Sequence, residues 1–482
     1  MSMVVKNNMS AISTLNTLNK NSSALAKSLQ KVSSGMKINS AADDASGYAI
    51  SERMRVQIRG LDQANQNTQN GSSMMKVAEG AVSSTVDILK TLKEKVINAA
   101  NDTNTDADRQ TIQKELDQSI DQIDDNANVT YNGKYLVDGS HNNKTIQTST
   151  VLYNESLDAK TVAGSALTAL KNRNGETLNI LSTDSVTLSY VRGGKTYTTT
   201  FVVGKDSTLA GILNANAYNG TSHLRGNEFL VFGAKEKADT AITAPTDKAE
   251  IDKDKGTVKS GTKTETYAKG TVQGATSLIG FDGSGNKIFT ADNGCAITLT
   301  ATKGGVDGQI SGFTISITSN TGATRKSANA VLDNFSEGIR AQNKSADNAL
   351  SLQVGTKATQ NIKVGLTDMR SEALGLKGSD GKTLNVSTQA KANAAINVLD
   401  NAVQKALDQQ TTIGSVESRL SYTSSNLTTA SENVQSSEST IRDADMAKEM
   451  TEYTKNNVLL QAAQSMLAQA NQSSSSVLSL LQ

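Results

Sequence analysis

The 482 residues contain no tryptophan, and cysteine and proline occur once each, at Cys295 and Pro245. A single cysteine excludes an internal disulfide. Histidine occurs only at His141 and His223, which removes most acid–base, nucleophilic and zinc chemistry. Charge of one sign is also missing: Lys+Arg 48 against Asp+Glu 47 leave a formal +1, without the basic stripe of a nucleic-acid binder. Aromatics reach 4% and hydrophobic residues 36%, low for an enzyme-like globular core. No run of about 18 apolar residues is present, so no span across a membrane is expected. Within Met1–Lys20, Val4, Val5, Met9, Ile12, Leu15 and Leu18 are scattered among polar residues instead of forming the continuous apolar centre of a secretory signal. On these rules alone the chain reads as cytoplasmic and non-enzymatic.

What is present is periodicity. Residues 1 to about 140 and about 387 to 482 are rich in Ala, Asn, Gln, Ser, Leu and Lys, with no proline and few glycines. One seven-residue column reads Met54, Leu61, Thr68, Met75, Val82, Leu89, Val96; another reads Leu399, Ala406, Ile413, Leu420, Leu427, Val434, Ile441. A sustained seven-residue repeat predicts helices wound left-handed about one another. At about 1.5 Å per residue, a helix over 390–441 would be roughly 75–80 Å long. A shorter helix is predicted after Asp106, with Ile112, Leu116, Ile120, Ile123 and Ala127 on one face, ending near Tyr131-Asn132-Gly133. At the extremities the stripes are thinner: Leu18, Leu25, Leu29, Val32 and Met36, and Leu459, Ala463, Met466, Ala470, Ser473 and Val477, backed by uncharged Ser, Asn and Gln. Such helices bury too little alone to offset their ordering entropy, and need a cover.

The middle, about 141 to 345, changes texture to Gly, Thr, Tyr and Phe. Val186, Leu188 and Tyr190 alternate, Arg192-Gly193-Gly194-Lys195 turns the chain, and Tyr197, Thr199, Phe201 and Val203 alternate back, a hairpin pattern. Ile297–Leu299 and Phe313–Ile317 read as strands, Ser207–Asn214 and Ala328–Gln342 as helices, and 235–270 as exposed loop or edge strand.

Candidate chemistry dissolves on inspection. His141 and His223 lack neighbours at metal-ligand spacing. Cys295 has no evident basic partner to make a thiolate, and burial as a small apolar residue is the better reading. The run Gly280–Asn286 lacks the alternating carboxylates and closing Glu of a calcium loop and reads as a turn. Asp43-Asp44 follows Ser40 as a capping-box variant opening a helix, not as a catalytic pair. No catalytic, cofactor or metal residue is expected.

Three sets of motifs carry a family resemblance. Ser33-Ser-Gly-Met-Lys-Ile-Asn-Ser-Ala-Ala-Asp-Asp-Ala-Ser-Gly47, with Ser51-Glu-Arg-Met-Arg55 and Arg59-Gly60-Leu61, resembles the N-terminal signature of bacterial flagellin. Ser439-Thr-Ile-Arg-Asp-Ala-Asp-Met-Ala-Lys-Glu449 and Asn471-Gln-Ser-Ser-Ser-Ser-Val-Leu-Ser-Leu-Leu-Gln482 resemble its C-terminal signature. Leu352-Gln-Val-Gly355, Asp368-Met369 and Ala373-Leu-Gly-Leu376 resemble its β-hairpin and return into the core.

The resemblance implies an α+β fold: a long α-helical coiled-coil core built from both chain termini, with a β-rich central insert. Residues 1–40 and 447–482 would be terminal inner-tube helices, 41–150 and 345–446 a helical core domain with a β-hairpin, and 151–344 a variable outer insert. It further implies a structural subunit that self-assembles into the extracellular flagellar filament, exported unfolded through the flagellar type III channel, which replaces the cytoplasmic reading. Its partners would be copies of itself, an export chaperone, and the hook–filament junction and filament cap proteins, with no nucleic acid and no membrane. A junction protein, or a flagellin with an active insert, is the alternative.

Thin stripes with uncharged backs mark Val5, Ile12, Leu18, Leu25, Leu29 and Val32, with Leu459, Met466, Val477 and Leu481, as expected self-assembly contacts. Met54, Leu61, Met75, Val82, Leu89 and Val96, with Leu399, Ile413, Leu420, Leu427, Val434 and Ile441, are the expected core packing of the long helices. The resemblance also places a segment read by an animal innate immune receptor at Thr91, Leu92, Lys93, Glu94 and Lys95. Here the family's leading Arg is Thr91 and its closing Leu is Lys95. A cation in place of an apolar anchor disfavours a desolvated interface, so weakened recognition is expected.

Overall fold

A computed structural model describes residues 8–158, 160–161, 165–205, 207–209, 212, 230–232, 251–252, 257–260, 263–266, 278–289, 297–301 and 303–480. His223, Cys295 and Pro245, with Val5 and Leu481, lie outside the described residues, as do half of Ser207–Asn214 and most of 235–270. The helices are α1 (Met9–Ser34), α2 (Ala45–Ala99), α3 (Asp106–Ala127), α4 (Lys326–Leu332), α5 (Ser371–Leu374), α6 (Gln389–Arg442) and α7 (Met446–Leu480). The strands are β1 (Thr130–Tyr131), β2 (Lys134–Tyr135), β3 (Val151–Asn154), β4 (Ser185–Arg192), β5 (Lys195–Val202), β6 (Leu230–Phe232), β7 (Ile251–Asp252), β8 (Thr257–Ser260), β9 (Lys263–Thr266), β10 (Leu278–Phe281), β11 (Lys287–Phe289), β12 (Ile297–Ala301), β13 (Ile310–Thr318), β14 (Ser336–Ile339), β15 (Leu350–Gln353) and β16 (Asn361–Val364). The α+β class, with long helices from both ends and a β-rich middle, is the one the sequence predicts.

By contact the chain forms two compact units. One comprises the described residues up to Asn70, Gln353–Ile362 and those from Leu420 onward; the other comprises Gly71–Leu352 and Lys363–Arg419.

In the second unit the seven-residue columns are the core. Met75, Val82, Leu89 and Val96 of α2 lose all solvent contact, as do Leu399, Ala406 and Ile413 of α6. Leu116, Ile120, Ile123 and Ala127 of α3 are buried as well, with Ile112 half-buried. Ion pairs Lys76–Glu417 (3.7 Å) and Lys95–Glu115 (3.0 Å) flank this core, together with the close pair Lys93–Asp400. Thr105 opens α3 with a capping box shared with Asp108. That hydrogen bonding holds the Asp108 carboxyl below its ordinary range. The buried Arg109 closes the end of α2 by donating to the carbonyls of Ala99 (2.9 Å) and Asn101 (3.0 Å), groups a helix end leaves without a partner.

The expected β-rich middle holds several antiparallel sheets. β4 and β5 form the predicted hairpin, Arg192 opposite Lys195, with Gly193 and Gly194 both at positive φ. Two such residues define a type I′ turn, whose twist matches that of the strands. A Cβ on Gly194 would strike the Lys382 carbonyl oxygen, so no other residue fits there. β13 joins the other side of β4, and a second sheet runs β14-β3-β12-β6. Their inward faces share one core of Leu152, Val186, Leu188, Tyr190, Leu299, Phe313 and Ile317, among others.

The predicted helix over Ala328–Gln342 is corrected: α4 stops at Leu332, and 336–339 is strand β14 paired to β3. Asn329 and Asp333 accept the free N–H groups of Ile317 (2.7 Å) and Ile315 (3.1 Å), capping the open edge of β13. Phe335 then packs edge-on against Phe313, its centroid 5.0 Å away. Tyr131-Asn132-Gly133, read as a helix end, is the tip of a small hairpin, β1 with β2, whose Asn132 and Gly133 are both at positive φ. The run Gly280–Asn286 is a turn between β10 and β11, as expected, with Asp282 accepting from the N–H groups of Ser284 (2.9 Å) and Asn286 (2.7 Å).

Candidate assembly interface

The site of interest lies in the first unit, on α1 and α7. Asn8 caps α1 by accepting from the Ala11 N–H (3.1 Å), and Gly35 ends it in the left-handed conformation. The two helices lie antiparallel: Asn8 donates to the Ala470 carbonyl (3.2 Å) and Asn21 to that of Leu459 (3.3 Å). Asn456 donates to the Ser28 hydroxyl (3.0 Å), and Lys31 pairs with Glu449 (3.6 Å). The covered positions of α1 include Ala11, Thr14, Leu18, Asn21, Leu25, Ser28 and Val32, a three-and-four spacing. On α7 they include Tyr453, Asn456, Leu460, Ala463, Leu467 and Ala470, with the same spacing. This is a coiled-coil seam with small and amide residues inside it, and polar pairs such as Ser28–Asn456 fix its register more than its strength.

Beside that seam runs apolar surface with no cover. Leu29 is 52% exposed, and Ile12, Leu15, Val458, Leu459 and Met466 are exposed too. Leu15, Ser22 and Leu29 are seven apart, as are Leu459 and Met466, so each helix carries an uncovered column flanking its covered one. Of the residues expected at assembly contacts, Leu18, Leu25 and Val32 therefore sit half-buried in the intramolecular seam, while Ile12, Leu29, Leu459 and Met466 face outward. The side chain of Val477 lies outside the described residues. The period leaves Leu15 out of the expected contacts and does not separate the exposed Leu459 and Met466 from the covered Leu460 and Leu467 beside them. The signal was present in the adjacent apolar pairs Leu459-Leu460 and Met466-Leu467.

The junctions of these helices with α2 and α6 explain the quoted motifs. Arg442, buried, donates to Glu52 (2.6 Å), to the Ser51 hydroxyl (3.3 Å) and through Nε to the Met36 thioether (3.2 Å), and lies over the Tyr48 ring. Its hydrogen bond holds the Glu52 carboxyl below the ordinary range. The Lys37 N–H donates to the Arg442 carbonyl (2.7 Å) and the Ala444 N–H to that of Gly35 (2.9 Å), so the two crossings are laced together. The expected capping-box variant is corrected by one residue. Asp44 caps α2, accepting from the N–H groups of Ser46 and Gly47 (both 3.0 Å), while Asp43 binds back to the N–H of Ser40 (3.0 Å) and closes a preceding turn. The N–H groups of Ser40, foremost, and Asn39 lower the Asp43 carboxyl. A Cβ on Gly47 would collide with Asp44 and Ile38, which accounts for glycine there.

Elsewhere in this unit Leu61, Ala64 and Leu427 form a small cluster with Ala430 and Val434, and Leu420 is fully buried. Met54 and Ile441 are half-buried. Arg55 pairs with Glu438 (3.0 Å), and Ser431 donates to Asp62 (3.0 Å). In the other unit, Leu92 is buried, Glu94 is exposed, and the Thr91 hydroxyl donates back to the Asp87 carbonyl (3.1 Å). His141 is half-buried, its Nδ1 3.3 Å from the Asn348 carbonyl. Among the described residues no cluster of His, Cys, Asp and Glu has the makings of a metal site, and no helix is long and apolar enough to cross a membrane.

Residues 5–142 match the family model of the bacterial flagellin N-terminal helical region, and 396–481 that of the C-terminal helical region. The chain is 32% identical over 472 residues to a flagellin of Clostridium tyrobutyricum, covering 98% of this chain and 99% of that one. It is 31% identical over 516 residues to a flagellin of Salmonella typhimurium, covering 100% of both. Among solved structures, flagellar hook-associated protein-3 from Legionella pneumophila is similar at a TM-score of 0.30 and 13% identity, over 80% of this chain and 97% of that one. The uncovered helical columns, the laced junction motifs and full-length likeness at both ends agree: the chain belongs to the bacterial flagellin family, as a structural subunit of the extracellular flagellar filament and not an enzyme.

Proposed function

We propose that subunits polymerise by burying the outer columns of α1 and α7, Ile12, Leu15 and Leu29 with Leu459 and Met466, against the same helices of neighbouring copies. Leu18, Leu25 and Val32 hold the two helices of one subunit together. Val5, Val477 and Leu481 extend the contact on sequence grounds. The observation that carries this reading is a covered seam lying beside an uncovered apolar column on each helix. Each of these side chains is only about half screened from water in the lone subunit. Finishing its burial contributes on the order of 1 kcal/mol, repeated at several residues for every neighbour. Residues 1–40 and 447–482 then line the inner tube, 41–150 and 345–446 the surrounding helical layer, and 151–344 the outer surface. An export chaperone, the junction proteins and the filament cap are further partners on this reading.

Leu29→Asp and Met466→Asp test it. Both sites are exposed, so the helix content of the monomer and its unfolding midpoint are expected to stay within about 0.5 kcal/mol of the parent. Filament yield after seeding is expected to fall at least tenfold, because a carboxylate is then driven into a desolvated contact. Filaments at parental yield from both variants would refute the assignment of these columns.

The segment Thr91–Lys95 is read as a poor ligand for the innate receptor. Leu92 is turned into the core, and the cations of Lys93 and Lys95 are engaged by Asp400 and Glu115.

A further inference from the structure

We propose that Met9, Met446, Met450 and Met466 make the assembly surface an oxidation-sensitive site: peroxide converts them to sulfoxides on the free subunit, and the modified subunit is refused by the growing filament. This rests on the reading of α1 and α7 as the polymerising surface.

The methionines of this chain are sharply sorted. Met9 is 69% exposed, Met446 42%, Met450 46% and Met466 60%, whereas Met74 is 7%, Met369 1% and Met75 0% exposed. Among the described residues, every methionine more than about a third exposed lies on α1 or α7. Met36 and Met54 are half-buried, and the Met36 sulfur already accepts from Arg442, which ties up a lone pair. With one cysteine in the chain, thioethers are its main two-electron reductants. The thioether sulfur attacks one oxygen of hydrogen peroxide as the O–O bond breaks. A new S–O bond forms, the proton passes to the departing oxygen, and water leaves. Sulfur is oxidised by two electrons and peroxide is reduced by two.

The product is a polar, chiral group in place of a pliable apolar one. Its oxygen requires a hydrogen-bond donor, and the apolar neighbours Val458 and Leu459 beside Met466 on the outer column of α7 offer none; Met9, Met446 and Met450 lie on the same two helices off that column. Burying one unpaired sulfoxide oxygen lowers the affinity of subunit addition by about tenfold. Once a copy is docked on that column the Met466 sulfur is screened, so this position is sensitive in the subunit and resistant in the filament.

The test treats purified subunits with hydrogen peroxide, locates sulfoxide by peptide mass spectrometry, and follows seeded elongation by light scattering and electron microscopy. Sulfoxide is expected first at these four positions, with elongation down at least tenfold, and recovered after treatment with methionine sulfoxide reductases. A variant carrying Met9→Leu, Met446→Leu, Met450→Leu and Met466→Leu, swaps that conserve volume, is expected to elongate equally before and after peroxide. If that variant does not elongate untreated, Met466→Leu alone is expected to recover part of the resistance. Equal loss in parent and leucine variants, or undiminished elongation of parent subunits oxidised at these positions, overturns the proposal. Untreated parent subunits that never elongate on seeds overturn the assembly reading, and this inference with it.

Discussion

Arg442 and Glu337 show how differently single residues carry weight in this chain. Arg442 is legible in the sequence only as part of a motif; its partners Met36, Tyr48, Ser51 and Glu52 lie some 390 positions away, and only folding brings them within reach. Glu337, on β14, has no motif at all. Burial pushes its carboxyl up to about 7, opposed by Arg340 at 3.4 Å and by Lys405, while Arg340 also binds Asp408 at 2.7 Å. Burial likewise brings Lys405 down to about 8, with Glu337 and Asp368 opposing the fall, and takes Asp333 up to about 6. A carboxyl whose folded value exceeds its unfolded one keeps a proton that the unfolded chain has released. Glu337 therefore stabilises fully below its ordinary 4.5, and that contribution is lost as pH rises towards 7. Lys405 acts in the opposite sense, stability rising with pH between 8 and its ordinary 10.5. Asp333 is half titrated near pH 6 and adds a smaller share, so most of the fall from pH 6 to 7.5 belongs to Glu337. Glu337→Gln is expected to flatten that fall, part of a total of at most about 3 kcal/mol over the whole window. Urea midpoints at the two pH values check it; an unchanged slope would contradict the role given to burial.

At the scale of elements, period was informative wherever packing enforces it. The columns of α2 and α6 repeat every seven residues because each step must meet a neighbouring helix, and that pattern survives in the sequence. The same logic falls short on α7, where Leu459-Leu460 and Met466-Leu467 put apolar residues in two adjacent columns, and only the partner α1 decides which is covered. It failed again at 328–342, because Asn329 and Asp333 serve the edge of β13 and end α4 early, a tertiary demand that no local propensity expresses. The hairpin tip at Asn132-Gly133 was readable, since that dipeptide favours a type I′ turn, but the apolar helix before it dominated. The helix face carrying Thr91–Lys95 yields a prediction of its own. With Leu92 buried and both lysines paired, little apolar surface remains for a receptor to desolvate. A receptor reporter-cell assay is expected to show at least about fivefold lower potency than a flagellin with the intact Arg and Leu positions, since losing one apolar anchor costs about 1–3 kcal/mol. Equal potency would contradict it.

For the molecule as a whole, the composition makes sense as a compromise between two lives. A subunit with near-zero net charge and an apolar surface must stay soluble until it meets copies of itself, and 36% hydrophobic residues spread over thin columns keep each exposed patch small. The sheets built on β3 and β4 have a core of their own. Residues 5–142 and 396–481 match the family's two helical regions. Removing residues 447–482 tests most directly whether α1 and α7 are completed only by neighbouring copies. The shortened subunit is expected to keep a cooperative unfolding transition and to give no filaments under electron microscopy at any concentration, even on seeds; filaments built from it would contradict the account.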